Sequence, residues 1–447
     1  MKNLLITALL SGLSVTSYAQ HEHHQMQADT TKPNHEMSHE GMNHEHHEGH
    51  PSMTHSYSLS LPMNRNGSGT GWQPDATPLY AWMKHQSKWM YMVHGSVFLR
   101  YTGQNINNPG KRGQASRLSA PNWVMGMAQR PVGKNGLFTA SLMVSLDRLT
   151  EGGGGYPLLY QTGESWKGSP LIDRQHPHDL ISGLTVGYTQ RLSAKVDISG
   201  YVGYPGEPAL GPVAFMHRFS SMNNPDATLS HHWQDATHIT FGVATLGVRI
   251  GQVKLEGSSF TGREPNENRY NFDRPRFDSY SYRVSWNPSM HWSLQASRAY
   301  IHSPEGLHPE ENVNRTTASV QHVIPAGKNS WVASTASWGY NQSGDHHNEH
   351  SALVESNWQH ETWAVYGRYE FVQKSAEELV LPTSLIYNVN ALSLGYNHQV
   401  AQMGKLWLVA GVQGTVFLQD KALNSLYGST PLAGQVYLRL MPTRLKM

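Results

Sequence analysis

LFTASLMVSLD (residues 137–147) alternates with period two: Phe138, Ala140, Leu142, Val144 and Leu146 are apolar, whereas Thr139, Ser141, Ser145 and Asp147 are polar and face the other way. YSYRVSW (280–286) repeats the pattern, with Tyr280, Tyr282, Val284 and Trp286 set against Ser281, Arg283 and Ser285. In WAVYGRYEF (363–371), Trp363, Val365, Tyr369 and Phe371 oppose Tyr366, Arg368 and Glu370. Segments of about ten residues alternating in this way mark strands that cross a membrane with one face to lipid and one to a polar interior.

The connections between such segments alternate in length. Short turns fall near Val132 to Gly136, Ser193 to Ala194, Gly251, Asn287 to Ser289, Ala326 to Asn329, His360 to Glu361 and Ala401 to Gly404. Long connections run through 104–120, 149–180, 205–236, 262–279, 302–315, 341–350, 373–388 and 419–432. The expected fold is therefore all-β, a transmembrane antiparallel β-barrel of the outer-membrane type with about sixteen strands (range about 12 to 18) and periplasmic short turns. Trp286, Trp292, Trp331, Trp358, Trp363 and Trp407 lie beside those turns, where an interfacial aromatic girdle belongs. In HITFGVATLGVRI (238–250) the apolar phase slips from Ile239, Phe241 and Val243 to Leu246, Val248 and Ile250, which calls for a bulge or a wrong strand assignment. The chain closes on PTRLKM without a terminal aromatic residue.

Upstream of the barrel, residues 1–19 carry Lys2, an apolar run from Leu4 to Val15 and small residues at Ser17 and Ala19, the form of a secretory signal peptide. Residues 20–55 follow as a His/Met-rich tail, disordered by expectation because it holds no Val, Ile, Leu or aromatic residue. Ten of the 27 histidines are here: His21, His23, His24, His35, His39, His44, His46, His47, His50 and His55, together with Met26, Met37, Met42 and Met53. Imidazole suits Zn, Cu and Ni while thioether selects soft Cu(I), so the mixture points to copper, with zinc, nickel and silver as the other candidates. A solvated tether that happens to be His-rich is the plainer alternative. Residues 56–88 read as a Gly/Pro/Ser-rich linker whose Trp72, Tyr80 and Trp82 point to docking at its end, and 89–447 as the barrel.

A chain of 447 residues with no cysteine has no thiolate metal site and no thiol nucleophile. The net charge of +2, without a basic stripe, argues against a nucleic-acid partner. Two further clusters lie in long connections. LIDRQHPHDL (171–180) gathers Asp173, His176, His178 and Asp179, and SHHWQDATH (230–238) gathers His231, His232, Asp235 and His238. His176 and His178 share a face if the chain is extended, which Pro177 favours at His176, so a metal ion is one reading. The other is structural: Asp173, Asp179 and Asp235 pair with Arg174, Arg218, Arg263 or Arg269 in a polar lumen. YPGEPALGP (204–212) and FTGREPNENRYNFD (260–273) have the composition of inward-folded constriction loops held by Arg and carboxylate pairs. No nucleophile elbow, phosphate loop, HExxH or Ser/His/Asp arrangement is present, so an enzyme is not expected and no catalytic residue is assigned.

The His/Met-rich exported N-terminus ahead of a barrel resembles copper resistance protein B of bacterial outer membranes. DRQHPHDL, GEPALGP, SHHWQDATHITFG and SSFTGREPNENRYNFD, within about 170–275, look like strings of a barrel family associated with heavy-metal resistance and efflux systems. The resemblance implies a barrel that binds and sequesters or passes transition metals, in contact with outer-membrane lipid and periplasmic efflux components, its tail in the periplasm. The alternative is a general porin or structural barrel with an incidental tail.

Overall fold

A computed structural model describes residue 59, residues 70–344 and residues 347–445. The expected signal peptide, the tail and the first part of the linker lie outside the described residues. Sixteen antiparallel strands build the wall: β1 Trp89–Gln104, β2 Asn122–Val132, β3 Gly136–Val144, β4 Ile181–Arg191, β5 Val196–Gly203, β6 Val243–Ile250, β7 Val253–Phe260, β8 Ser279–Ser289, β9 Trp292–His302, β10 Asn312–Pro325, β11 Ser330–Ser343, β12 His347–His360, β13 Trp363–Ser375, β14 Ile386–Met403, β15 Leu406–Gln419 and β16 Leu432–Pro442. Each pairs with the next, and β16 returns to β1 from Val97 opposite Leu440 to Gly103 opposite Gly434. Closure leaves the wall without an edge, which a membrane interior demands of any sheet.

The period-two pattern places polar residues inward. Ser281, Arg283 and Ser285 are buried while Tyr280, Tyr282, Val284 and Trp286 are exposed, and Tyr366, Arg368 and Glu370 likewise face the lumen. The phase slip before β6 is a boundary and not a bulge: Ile239 and Phe241 belong to a buried loop, and β6 pairs with both neighbours in unbroken register. Within β6, Leu246 is 76% exposed. Leu246→Arg is expected to destabilise the barrel in lipid by about 2–4 kcal/mol, the cost of a cation near mid-membrane. Urea midpoints in vesicles measure it, and a change within about 0.5 kcal/mol, the size of an ordinary surface substitution, would put this face in water.

Two readings of the sequence are corrected. Residues 341–350 are not a long connection, because β11 and β12 run through them as far as Ser343 and from His347. Trp331 is 2% exposed and turns into the lumen, its Nε1 donating to Tyr80 Oη at 3.2 Å, and Trp407 packs against the same Tyr80 ring. Trp286, Trp292 and Trp358 do stand on the outer face. The inward turn of Trp331 follows from the segment before β1. Trp72 and Tyr80 are buried, Trp72 O accepts from Ser293 Oγ, and Leu79 O accepts from Leu445 N, so residues 70–81 pack inside the short-turn end.

The longest connection, residues 204–242, also folds inward, and none of its residues is exposed. Gly211 (φ +79) lets its backbone lie against Gln234 O, where a Cβ would come within 2.0 Å. Charged pairs fasten this plug to the wall: Arg100 to Asp226 at 2.5 Å, and Arg218 to Glu355 at 2.6 Å, with Arg368 on the second Glu355 oxygen at 2.9 Å. An apolar cluster of Tyr156, Leu159, Tyr160, Leu229, Trp233 and Val372 joins the connection between β3 and β4 to the plug and wall.

Candidate metal centre

The plug and the connection between β3 and β4 bring two sequence clusters face to face. One ring nitrogen each from His176, His231 and His232 lie within 4.8 Å of one another, all three residues buried. His178 and His238 adjoin them, with ring centroids 5.5 Å apart and His238 5.1 Å from His231. His178 stands beside the group of three and not in it: it turns to His238, while His176 stacks on His231 with ring centroids 6.0 Å apart.

Three of the rings are oriented by a close partner on Nδ1. His231 Nδ1 lies 2.7 Å from Asp235 Oδ1, four residues on in a short helical turn, His238 Nδ1 lies 2.8 Å from Asp235 O, and His178 Nδ1 lies 2.6 Å from Asp147 Oδ2. A carboxylate or carbonyl can only accept, so Nδ1 carries the proton in each. The lone pair is then on Nε2. The Nε2 atoms of His176, His178, His232 and His238 are buried without a hydrogen-bond partner, although His176 Nε2 stands 3.5 Å from a Glu164 oxygen. Such atoms are costly to bury unless something binds them, and a neutral imidazole with Nδ1 tied back is the form in which histidine ligates metals.

Burial disfavours the charged form of four of the rings. Burial pulls His232 and His238 down to about 3 and His176 well below its ordinary value. Burial also lowers His231 against the opposing pull of Asp235, and Asp235 is held down at about 2 because His231 and Arg218 outweigh its own burial.

The aspartates have other tasks. Asp179 Oδ2 pairs with Arg269 at 3.2 Å, and Arg269 reaches Glu164 at 2.7 Å. Asp173 sits apart from the imidazoles, 3.6 Å from Arg112 and accepting from Tyr160 N. Arg174 and Arg263 donate to backbone carbonyls instead. Both readings of these stretches therefore meet in one place, with carboxylates in ion pairs and imidazoles grouped. His21, His23, His24, Met26, His35, Met37, His39, Met42, His44, His46, His47, His50, Met53 and His55 lie outside the described residues.

His232 forms part of the floor of a cavity of about 1180 Å³ that opens among the long connections. Glu164, Glu264, Glu305, Glu311, Glu377 and Glu378 line it. Burial raises Glu164 to about 8 and Glu264 to about 7, with Arg269 and Arg315 respectively opposing. Gly163 (φ +102) covers His232, and a Cβ there would strike the imidazole at 2.7 Å. His308, Glu311 and Glu377 form a second, more exposed group at the mouth, which the sequence did not single out because its members are separated in the chain.

No protein-family model and no curated protein matches this chain. Among solved structures, OmpF of Salmonella typhi in complex with daunomycin is similar over 80% of this chain and all of its own, with 8% identity and a TM-score of 0.50. The anion-selective porin of Comamonas acidovorans matches 79% of this chain and 99% of its own, with 10% identity and a TM-score of 0.49. At such identities the first likeness shows the fold alone. The class is that of a sixteen-stranded outer-membrane barrel, porin-like in its wall. This chain's own loops occupy the lumen.

Proposed function

We propose that this barrel binds transition-metal ions, copper foremost and zinc, nickel or silver besides, and holds or passes them as part of metal homeostasis or resistance, without catalysing a reaction. The supporting observation is the buried group of His176, His231 and His232, flanked by His178 and His238, with Nδ1 of three of the five tied to Asp147 or Asp235. Three imidazoles with a fourth position open is a donor set that Zn²⁺ and Cu²⁺ accept. The tail, a flexible multivalent chain, gathers ions on the periplasmic side and supplies the barrel or periplasmic efflux components. The fold likeness favours a second reading, a general porin with an incidental tail.

Deleting residues 21–55 is expected to leave the barrel assembled while removing most of the bound metal, with one ion per barrel retained after dialysis. His176→Ala with His231→Ala is then expected to remove that ion. Elemental analysis of the purified barrels after loading with Cu(II), zinc or nickel, without reductant, measures both. A tail-less barrel that retains none of the three metals sinks the lumen site.

A further inference from the structure

Below the group of five, the histidines continue toward the short-turn end. His217 lines a small cavity with His238, Met125 and Met143, and a second cavity of about 80 Å³ with His94, Met92, Met127 and Met216. The rings of His94 and His217 are 5.6 Å apart, and Trp123 packs against both at 5.3 and 4.5 Å. The Nε2 atoms of both histidines are buried without a hydrogen-bond partner.

The thioethers around them are unusual for this wall. In β8 the inward positions are Ser, Arg and Asn, and in β12 mostly Glu, Ser, Asn and Gln, whereas β1, β2 and β3 turn Met92, Met125, Met127 and Met143 inward. Of the eleven described methionines, nine pack in the two apolar clusters at this end, and only Met290 and Met403 are exposed. Methionine as mere filler accounts for the apolar packing. It does not account for two imidazole nitrogens facing the same cavity with no partner, a cost a bound ion removes.

We infer that His94, His217, Met92, Met127 and Met216 form a second metal site, at the short-turn end of the lumen, for a soft monovalent ion, Cu(I) or Ag(I). Sulfur and imidazole together select a soft d¹⁰ ion over Zn²⁺. The ion arrives already reduced, and the barrel carries out no electron transfer. The further assignment, that ions pass between the two sites along His232, His231, His238 and His217, rests on the reading of the upper histidines as a metal centre. The lower site stands or falls by itself.

The test uses the full chain in detergent, labelled with ¹³C at the methionine ε-methyl groups and titrated with Ag(I). Single Met→Leu variants, which conserve volume, assign the resonances, and the remaining methyl signals report assembly. Ag(I) is expected to shift the Met92, Met127 and Met216 methyls and Zn²⁺ to leave them in place. M127L combined with M216L should weaken the Ag(I) response of Met92 by more than about tenfold, and H176A with H231A should not affect it. If Ag(I) moves only methyls outside this cavity, the lower site does not exist. Zinc retention by the barrel without residues 21–55 reports the upper site independently, so failure of either is read without the other.

Discussion

Replacing Glu355 by Ala is expected to destabilise the assembled barrel by about 3–5 kcal/mol, the cost of leaving buried charge without its counterion. Glu355 accepts from Arg218 Nε at 2.6 Å and Ser220 Oγ at 2.7 Å on one oxygen, and from Arg368 Nε at 2.9 Å on the other. All three charged side chains are at most 2% exposed. Without the carboxylate, two guanidinium groups remain inside with no compensating anion of equal quality. The nearest substitute for Arg218 is Asp235, already 3.7 Å away and engaged by His231 and by Phe215 N. Arg218 drawing on Asp235 would release His231, so the same substitution is expected to weaken the upper metal site. The temperature at which the compact electrophoretic band converts to the unfolded one measures the first effect, and metal content per barrel the second. An unchanged conversion temperature would mean that the plug is not fastened at this point. Glu355→Gln keeps the shape and two acceptor sites on oxygen, and should fall between the parent and Ala.

This fastening illustrates what the sequence could and could not convey. The wall was legible because lipid imposes one rule on every strand, apolar outward, and the rule acts locally with period two. Trp331 broke it, since a partner 251 residues away, Tyr80, draws the indole inward. The plug has no period to read. Its Pro- and Gly-rich composition at 204–212 pointed to an inward loop, but Arg218 finds Glu355 across 137 residues, and no local pattern announces that pair. The histidines show both sides of the matter. His176, His178, His231, His232 and His238 stood out as dense clusters, whereas their convergence is a property of two loops meeting inside a closed wall. His94, by contrast, carried a readable signal: in WMYMVH (89–94) Met90, Met92 and His94 occupy the alternate positions opposite Tyr91 and Val93, and Tyr91 and Val93 are the lipid-facing pair. Thioethers and an imidazole in the inward phase of a barrel strand are the exception that marks a site.

Excising the plug should have the opposite consequence to cutting its tether. With residues 207–238 replaced by a short Gly/Ser linker, the barrel is expected to assemble and to conduct as an open pore, while the intact protein in the same planar bilayer passes little current. A wall of sixteen strands encloses enough space for an aqueous channel once nothing fills it. Removal of the plug takes Arg218 and Asp226 away, which leaves Arg100 without its counterion and Glu355 with Arg368 alone. These wall residues then face water, where an unpaired charge is solvated, and so carry none of the penalty that Glu355→Ala imposes on arginines still packed in a dry interior. The wall also keeps its own pairs, Arg283 and Lys254 with Glu256 at 3.1 and 2.6 Å, and Arg368 with Glu355. His217, His231, His232 and His238 leave with the plug, so the open variant should retain no ion in the lumen. Single-channel recording separates the two functional readings: a parent protein that already conducts like the excised one is a general porin whose loops constrict without closing, and a parent that stays closed while holding metal has traded its channel for a binding site.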